Sequence, residues 1–348
     1  MNAELLREEY SFLAEKFKGK SVMISGATGL IGSHAVKQID SINEMYAAAI
    51  KPIVLYRDEE KKNKLVSGLI NPDYAEFVKC DVEEEIPYQG SVDYVVHCAG
   101  FSGGTKMHLK DPVKIFDTGL IGTRNLLDFS AAHSVRGFLY VSTYEVYGDS
   151  STDERITEDF PCKLDTFVPR NSYAEIKRLC ESLLCAFSAK YGFNTYAVRL
   201  TSTFGSGVRY NDSRFFAEFA RCAIEGRDII LKSHGETVRS YLDADDAAIA
   251  FLYVLANGQN CNAYNLTNMD NEISIKDIAE NIIKLSGADI KLIFDVPEDA
   301  HKLGLRKEGR TVMDASRIYS VGWKPVWSLE DTLEKLIVSM KENKGQNL

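Results

Sequence analysis

The sequence predicts an α/β protein: a doubly wound, Rossmann-type parallel sheet with a smaller C-terminal α/β lobe. Three observations support this fold class. A short apolar strand at residues 21–25 leads into a glycine-rich turn and then a helix that begins near Leu30. Apolar strand-like runs alternate with helical patterns through the first part of the chain. One of these runs, residues 138–148, ends in hydroxyl and carboxylate side chains, as expected at the ligand-binding edge of a parallel sheet.

The composition is typical of a globular protein with a sizeable core. The chain has 348 residues, of which 45% are hydrophobic and 26% are charged, so it is long enough for two domains or for one domain with an extra lobe. Its formal net charge of -9 argues against a nucleic-acid polymer as partner, because phosphate backbones bind to basic surfaces. Local arginines can still bind one small ligand that carries phosphate.

The cysteines and the hydropathy pattern indicate a reduced, cytoplasmic protein without a metal. None of the seven cysteines is in a CxxC spacing, which favours free thiols over disulfides or a zinc site. No segment reaches the roughly 18 apolar residues of a membrane span, and the amino terminus lacks an apolar signal-peptide core. We therefore expect no membrane association. The cysteines are Cys80, Cys98, Cys162, Cys180, Cys185, Cys222 and Cys261.

The first elements of the chain predict a dinucleotide site. Residues 4–17 have apolar side chains at helical spacing, which predicts an extra helix ahead of the main domain. Strand 21–25 follows, and the glycines of the sequence GATGLIG then suit a tight strand-to-helix turn whose backbone can approach a pyrophosphate. The amino terminus of the next helix adds partial positive charge. The candidate residues of this turn are Gly26, Thr28, Gly29, Leu30, Ile31 and Gly32.

The end of the second strand, residues 52–58, bears on which dinucleotide binds. An acid at this place favours NAD because it accepts hydrogen bonds from the ribose hydroxyls, whereas an arginine favours the 2′-phosphate of NADP. Here Arg57 and Asp58 are adjacent, so we expect NAD, with NADP as the alternative. Arg57 is equally well explained as a solvated charge at the end of a strand.

Further strands and a smaller lobe are predicted along the rest of the chain. The further strands are residues 76–81, 93–100 and 194–200, with a long helix at residues 112–133 and a turn at residues 201–205. His97 lies within a strand and is interpreted as a core residue. The smaller lobe is expected from residues 208–227, the strand-like residues 228–231 and the region from residue 273 onward.

A candidate catalytic group combines the strand at residues 138–148 with the helix that begins near Tyr173. Tyr173 and Lys177 are one helical turn apart, so both can lean toward the strand end where Thr143 lies. A phenol with a pKa of about 10 has to accept a proton near neutral pH, and a neighbouring ammonium favours the phenolate. The threonine hydroxyl can share a hydrogen bond with the substrate oxygen and position an alcohol for oxidation by a nicotinamide. A tyrosine and a lysine at this spacing are, in isolation, explained as part of a solvated helix face. The preceding strand with its polar end and the glycine-rich turn favour a catalytic role.

Together, the turn GATGLIGSH and the group Thr143, Tyr173 and Lys177 resemble the NAD-dependent epimerase/dehydratase family of the extended short-chain dehydrogenases/reductases. The resemblance implies a tightly held NAD, a nucleotide-diphosphate sugar as substrate, and a homodimer formed by two long helices. Tyr173 and Lys177 are then cofactor contacts as well. The resemblance adds Asp81, Val82, Ala99 and Gly100 to the cofactor site. The sequence departs from the family at Gly119, where asparagine is usual.

The same resemblance implies a division of the chain into two parts. Residues 1–200 are expected to form the dinucleotide-binding domain, to which residues 239–267 return. Residues 201–238 and 268–348 are expected to form the lobe that binds the nucleotide sugar.

Several residues are predicted to contact the sugar nucleotide. Arg239 and Arg310 stand in segments that resemble the family's arginine motifs, and guanidinium groups suit a diphosphate. Ser202 replaces an asparagine that is common in the family, which indicates an altered substrate pocket. Tyr144 and Arg214 complete the set of predicted substrate contacts.

Glu145 bears on which reaction of the family is expected. The matching position is usually not acidic in 4-epimerases, is part of STDEVYG in 4,6-dehydratases, and is part of an STSE-like pattern in the decarboxylases of UDP-glucuronate. Here the sequence is Ser142-Thr143-Tyr144-Glu145, so the glutamate is kept and the aspartate is replaced by tyrosine. A carboxylate beside a 4-keto sugar favours chemistry at C5. A loop acid without a catalytic role is the alternative interpretation.

UDP-glucuronate decarboxylase is therefore the activity that the resemblance favours, ahead of a 4,6-dehydratase and a 4-epimerase. The sequence PRNSYAEIKR before and within the catalytic helix also most resembles the decarboxylases. The arginines available for a substrate carboxylate are Arg170, Arg209, Arg214 and Arg239. A different class of protein, a catalytically silent dinucleotide sensor, remains the alternative, because a fold by itself does not determine function.

Overall fold

A parallel sheet forms the centre of the molecule. The structure, a computed structural model, describes residues 2–100, 111–150, 152–296 and 309–344. Its strands are β1 Ser21–Ser25, β2 Lys51–Tyr56, β3 Glu76–Lys79, β4 Tyr94–His97, β5 Gly137–Thr143, β6 Asn194–Leu200 and β10 Asn262–Leu266. They lie in the order β3-β2-β1-β4-β5-β6-β10, and all neighbouring pairs are parallel. The strand order changes direction between β1 and β4, which is where such sheets bind ligands. The sheet confirms the predicted Rossmann-type fold class.

Helices cover both faces of this sheet. The helices of the described chain are α1 Asn2–Phe17, α2 Leu30–Tyr46, α3 Glu59–Ser67, α4 Pro112–Phe116, α5 Gly122–Ala132, α6 Ser172–Tyr191, α7 Phe215–Glu225, α8 Ala244–Asn257, α9 Ile275–Ser286, α10 Ser316–Tyr319 and α11 Leu329–Glu342. Successive side chains of β1 point to opposite faces. Val22 and Ile24 accordingly pack in one core with α1, α2 and α8, while Met23 packs in a second core with α5 and α6. None of the described helices has both the length and the apolar character needed to cross a membrane.

The predicted extra helix is α1, and it is part of the core. Tyr10, Leu13 and Phe17 are buried against the residues of α2 and α8. Their spacing of three and four residues places them on one face of the helix. The hydroxyl of Tyr10 also donates to Gln38 of α2.

A smaller sheet corrects the prediction that residues 201–205 form only a turn. Its strands are β7 Ser202–Phe204, β9 Val238–Asp243, β11 Asn268–Ser274 and β13 Arg310–Thr311. β7 pairs in parallel with β9, so the segment after β6 continues directly into the second sheet. Phe204 is fully buried there against Phe216 and Tyr241. A separate pair, β8 Ile229–Leu231 and β12 Leu292–Phe294, lies in the same part of the chain.

The path of the chain between the two sheets differs from the expected division at two points. Strand β9 belongs to the smaller sheet, and the chain rejoins the large sheet only with α8 and β10. Near the C-terminus, Ala315, Ile318 and Trp323 are buried in the same core as α8. Trp323 is fully buried, so its large apolar surface stabilises this packing.

Gly119 lies in a π-helical turn, Asp117–Ile121, that joins α4 to α5. A Cβ atom at Gly119 would be 2.6 Å from Cγ1 of Ile176 on α6, which is too close for an ordinary contact. The glycine therefore lets α6 approach the turn at the position next to Lys177. This close packing gives a physical reason for the departure from asparagine at this position.

Candidate active site

The glycine-rich turn packs so closely that its glycines cannot carry side chains. Gly26 has φ +63°, and a Cβ atom there would be 2.6 Å from the backbone nitrogen of Ala99 at the end of β4. A Cβ atom at Gly32 would be 2.3 Å from the carbonyl oxygen of Gly26. The turn thus brings the backbone of β1, the start of α2 and the end of β4 together.

The amino terminus of α2 is suited to an anion. Gly29 is its N-cap residue, and within this fully described helix there is no side-chain cap and no acidic residue in the first turn. The backbone N–H groups of the first turn therefore remain as donors, and the helix dipole favours negative charge. Thr28, Leu30 and Ile31 flank this end and are half-buried. These features fit the pyrophosphate of a dinucleotide, which is the group that the sequence predicts here.

The predicted ribose end of the site contains an ion pair and a helix cap. Nη1 of Arg57 donates to Oδ2 of Asp81 at 3.1 Å, which links the ends of β2 and β3. Asp58 is the N-cap of α3, where its Oδ1 accepts from the backbone N–H groups of Glu60 and Lys61. The strand therefore ends at Tyr56 rather than at Asp58 as predicted.

Val82, Ala99 and Gly100 lie near the other predicted cofactor residues. Val82 is buried and packs against Gly122 of α5. The backbone N–H of Ala99 donates to Oγ of Ser25 at 3.2 Å, which joins the ends of β4 and β1. A Cβ atom at Gly100 would be 3.5 Å from Nζ of Lys177, so this glycine borders the predicted catalytic group.

The structure brings Thr143, Tyr173 and Lys177 together. Thr143 ends β5 close enough to Tyr173 to act on its pKa, and its Oγ1 accepts from the backbone N–H of Glu145 at 3.3 Å. Lys177 is buried, and its Nζ donates to the carbonyl oxygen of Val141 at 2.7 Å. The same Nζ lies 5.9 Å from the centroid of the Tyr173 ring.

The electrostatics of this group differ from the expectation that Lys177 favours a phenolate. Burial lowers the pKa of Lys177 to about 8. Burial, with the nearby charge of Glu145, instead raises the pKa of Tyr173 well above its ordinary value, although the Thr143 hydrogen bond acts in the opposite direction.

Glu145 forms an ion pair that the sequence analysis missed. Its Oε2 accepts from Nη1 of Arg170 at 3.0 Å, and the two side chains are only 15% and 22% exposed. Arg170 lies in the single turn Pro169–Asn171 that immediately precedes α6. Its spacing of three residues before Tyr173 was the available signal, since it places Arg170 one turn ahead of Tyr173, just before the helix begins. The guanidinium of Arg170 is thus already paired with Glu145 in this structure and is not free to bind a substrate carboxylate.

Two more predicted substrate residues border the site. Nη1 of Arg239 donates to the hydroxyl of Tyr144 at 3.3 Å, and among the described residues Arg239 has no carboxylate partner. Arg214 caps α7 and binds both oxygens of Asp212, a residue that the sequence analysis did not identify. The charge of Arg214 acts on Tyr173, in the direction that lowers its pKa.

Arg310, another predicted substrate contact, does not lie beside Arg239. Arg310 pairs with Val238 and Thr311 pairs with Arg239, so the two arginines point to opposite faces of the smaller sheet. Arg310 instead forms an ion pair with Glu272 at 3.2 Å and donates to the carbonyl oxygen of Asp153. Ser202 is half-buried at the start of β7, beside Tyr241 of β9.

A polar network under the end of β5 was also missed. Glu181, one turn after Lys177 on α6, accepts from Ser142 Oγ at 2.5 Å and binds Arg199 of β6 through both carboxylate oxygens. Arg199 also donates to the hydroxyl of Tyr147 at 3.0 Å. The network therefore ties β5, β6 and α6 together next to Thr143. Its members are far apart in the sequence, and no local spacing indicates it.

The fold and this site define a class of protein. A glycine-rich strand-to-helix turn at the switch point of a parallel sheet, with threonine, tyrosine and lysine at the end of β5, is the arrangement of a dinucleotide-dependent oxidoreductase. The sequence pattern of the "NAD dependent epimerase/dehydratase family" matches residues 22–267, and the chain belongs to this family. It is an enzyme of the group that contains nucleotide-sugar decarboxylases, dehydratases and epimerases.

Three relatives illustrate the range within this group. The chain is 29% identical over 328 residues to UDP-glucuronic acid decarboxylase 1 of Xenopus tropicalis, which covers 94% of this chain and 73% of the relative. It is also similar in fold to UDP-glucose 4-epimerase of Thermotoga maritima, with a TM-score of 0.78, 21% identity, and coverage of 93% of this chain and 99% of the other. It is likewise similar in fold to dTDP-glucose 4,6-dehydratase of Streptomyces venezuelae, with a TM-score of 0.77 and 22% identity. That match covers 93% of this chain and 98% of the other.

Proposed function

We propose that the protein uses NAD to oxidise C4 of a nucleotide-diphosphate sugar and then acts at C5, and that its reaction is the decarboxylation of UDP-glucuronate. The observation that carries this proposal is the position of Glu145, which is held by Arg170 and is close enough to influence the pKa of Tyr173. A carboxylate at this place can accept or donate a proton at C5, the carbon next to C4. The relative named UDP-glucuronic acid decarboxylase 1 supports the same activity.

Each proposed catalytic residue has one task. Tyr173 takes the proton of the C4 hydroxyl, and Thr143 shares a hydrogen bond with the same oxygen. NAD, when bound, accepts the hydride from C4 and later returns it. The ketone at C4 then allows the C5–C6 bond to break, so carbon dioxide leaves and the electron pair moves onto the C4 oxygen. As the ketone re-forms, C5 receives a solvent-derived proton by way of Glu145. Tyr173 returns its proton to the C4 oxygen when the ketone is reduced.

Arg239 is proposed to bind an anionic group of the substrate. It is half-buried beside Tyr144, and it lacks a carboxylate partner among the described residues, unlike Arg170 and Arg214. A guanidinium in this state can form two charge-assisted hydrogen bonds to a phosphate or to a carboxylate. Ser202, which starts β7 beside β9, is proposed to line the same pocket.

A 4,6-dehydratase is the second candidate, because Glu145 could also remove the C5 proton while the C6 hydroxyl leaves. That reaction needs an acid for the leaving hydroxyl, and position 144 carries a tyrosine that accepts a hydrogen bond from Arg239. Decarboxylation requires no such acid, which favours the first candidate. A 4-epimerase would need Glu145 neither to protonate C5 nor to remove its proton. A silent sensor would use none of the catalytic residues.

The protein is further proposed to act as a homodimer through the surface of α4, the π-helical turn and α6. Apolar side chains remain exposed on this surface, namely Val113, Phe116, Leu120, Ile121 and Leu179. Helices with a second apolar face usually bury it against a partner. A cytoplasmic location stays a prediction.

Turnover of a panel of nucleotide sugars tests the proposed function. The purified protein is incubated with UDP-, dTDP-, GDP- and CDP-linked hexoses and with UDP-glucuronate, and the products are identified by mass spectrometry. We expect UDP-glucuronate to lose carbon dioxide. Loss of water from a hexose would select the dehydratase, a change of configuration without change of mass would select the epimerase, and no turnover of any sugar would leave the sensor.

A further inference from the structure

We infer that the adenosine end of the cofactor site accepts the 2′-phosphate of NADP, with Arg57 as the residue that recognises it. The inference rests on the proposed function only in requiring a nicotinamide dinucleotide at the glycine-rich turn. The choice between a hydroxyl and a phosphate on the ribose is made at the end of β2, next to β1 in the sheet.

The acid nearest the end of β2 already has another role. Oδ1 of Asp58 accepts from the backbone N–H groups of Glu60 at 3.0 Å and Lys61 at 3.1 Å, so it caps α3. Its Oδ2 lies 3.5 Å from Nζ of Lys61. These contacts lower the pKa of Asp58, the backbone N–H of Lys61 being the largest cause. Turning this carboxylate toward ribose hydroxyls would uncap the helix and destabilise it.

Arg57, by contrast, is accessible and only loosely held. Its side chain is 65% exposed, and its contact within the described residues is the single hydrogen bond from Nη1 to Asp81 at 3.1 Å. An exposed ion pair of this kind contributes little to stability. A guanidinium has five N–H donors, so Arg57 can bind phosphate oxygens while it keeps or exchanges the Asp81 contact.

The surroundings of Arg57 hold Asp81 in place while a phosphate binds. Oδ1 of Asp81 accepts from the backbone N–H of Glu83 at 3.1 Å, so its carboxylate stays oriented without Arg57. Lys61 and Lys62 add two ammonium groups in the first turn of α3, where they pair with Asp58 and Glu59. The end of β2 therefore presents a guanidinium to the ligand and uses its nearest acids for structural contacts.

Equilibrium binding tests this inference without relying on turnover. Bound nucleotide is first released from the purified protein by denaturation and identified by mass spectrometry. Native protein is then titrated calorimetrically with NADP, NAD, 2′,5′-ADP and ADP. We expect NADP to bind as tightly as NAD or more tightly, and at worst about tenfold more weakly. We expect 2′,5′-ADP to bind about tenfold more tightly than ADP.

Variants assign the effect to Arg57. Arg57→Ala should weaken NADP and 2′,5′-ADP about 10-fold to 100-fold, the worth of a hydrogen-bonded charge, and leave NAD and ADP within about threefold. Arg136→Ala is the matched control, because Arg136 also forms an exposed ion pair, with Asp93, but at the start of β5 on the opposite edge of the sheet. It should change none of the four affinities.

Three outcomes would overturn the inference. NADP binding more than about tenfold weaker than NAD binding would show that the site disfavours the phosphate, while the proposed function would stand. Equal losses for all four ligands in Arg57→Ala would give Arg57 a structural role only. Binding of neither dinucleotide would overturn the inference and the proposed function together.

Discussion

At the scale of single residues, the buried ammonium of Lys177 contributes to the change of stability with pH. Its pKa is lowered to about 8 by burial, whereas a lysine in the unfolded chain has a pKa of about 10.4. Between these values the unfolded state binds the proton and the folded state does not, so stability rises with pH. Below pH 8 both states are charged, and the full cost of burying the ammonium is present.

Lys177→Met should therefore stabilise the protein most at neutral pH. We expect its advantage in unfolding free energy over the wild type to shrink by about 2 to 3 kcal/mol between pH 7 and pH 10, because the wild type regains stability as Lys177 loses its proton. Urea unfolding of both proteins at the two pH values measures this difference. An advantage that does not change with pH would mean that Lys177 has an ordinary pKa.

Arg170 is the residue that we expect to position Glu145. Arg170→Gln leaves a half-buried carboxylate without its cation, so the step at C5 should slow by about 10-fold or more while C4 oxidation persists. Single-turnover absorbance of the reduced nicotinamide reports C4 oxidation, and incorporation of deuterium at C5 from deuterated water reports the later step.

Arg178→Gln serves as the control for Arg170, because Arg178 pairs with Glu175 at 3.5 Å on the same helix and is 44% exposed. It should leave both rates unchanged. If Arg170→Gln slowed C4 oxidation and the labelling of C5 equally, Arg170 would support the whole site rather than Glu145 in particular.

At the scale of elements, the contact between the π-helical turn and α6 sets the position of the catalytic helix. Gly119→Ala would place Cβ 2.6 Å from Cγ1 of Ile176, the residue before Lys177. We expect a loss of about 1 to 3 kcal/mol in unfolding free energy, typical of overpacking, together with reduced turnover. Thermal unfolding and steady-state kinetics measure the two effects.

Gly68→Ala is the control substitution for that contact. Gly68 has negative φ, and its added Cβ would meet the flexible end of Lys37 at 3.4 Å and the carbonyl oxygen of Leu65 at 3.5 Å, which are ordinary contact distances. It should be close to neutral for both stability and turnover. If Gly119→Ala were equally neutral, the close approach of the turn to α6 would not control the site.

The elements also illustrate what the sequence could and could not predict. The strand and glycine pattern around Gly26 is local, so the turn and its neighbours were predicted correctly. The strand β7 was missed because three residues between β6 and Gly205 carry no periodicity, and they become a strand only through pairing with β9. The network of Glu181 and Arg199 depends on contacts across β5, β6 and α6, which only the folded sheet brings together.

At the scale of the whole molecule, the exposed apolar surface of α4, the π-helical turn and α6 is expected to be the dimer interface. Leu179, 48% exposed, lies on α6 within that surface, so Leu179→Arg should convert the dimer to a monomer. Sedimentation or light scattering at micromolar concentration measures the change. Val338→Arg is the control, since Val338 is 55% exposed on α11. A monomeric wild-type protein would contradict the proposed assembly.

The central claim is that Glu145 serves chemistry at C5, and turnover of UDP-glucuronate in deuterated water tests it most directly. We expect carbon dioxide and a product with deuterium on C5, because the lost carboxylate is replaced by a solvent proton. Glu145→Gln should slow this labelling by about 10²- to 10⁴-fold, the usual contribution of a positioned acid or base, while the 4-keto sugar accumulates. An unlabelled product that differs from its substrate only in configuration at C4 would contradict the account and leave Glu145 with a structural role.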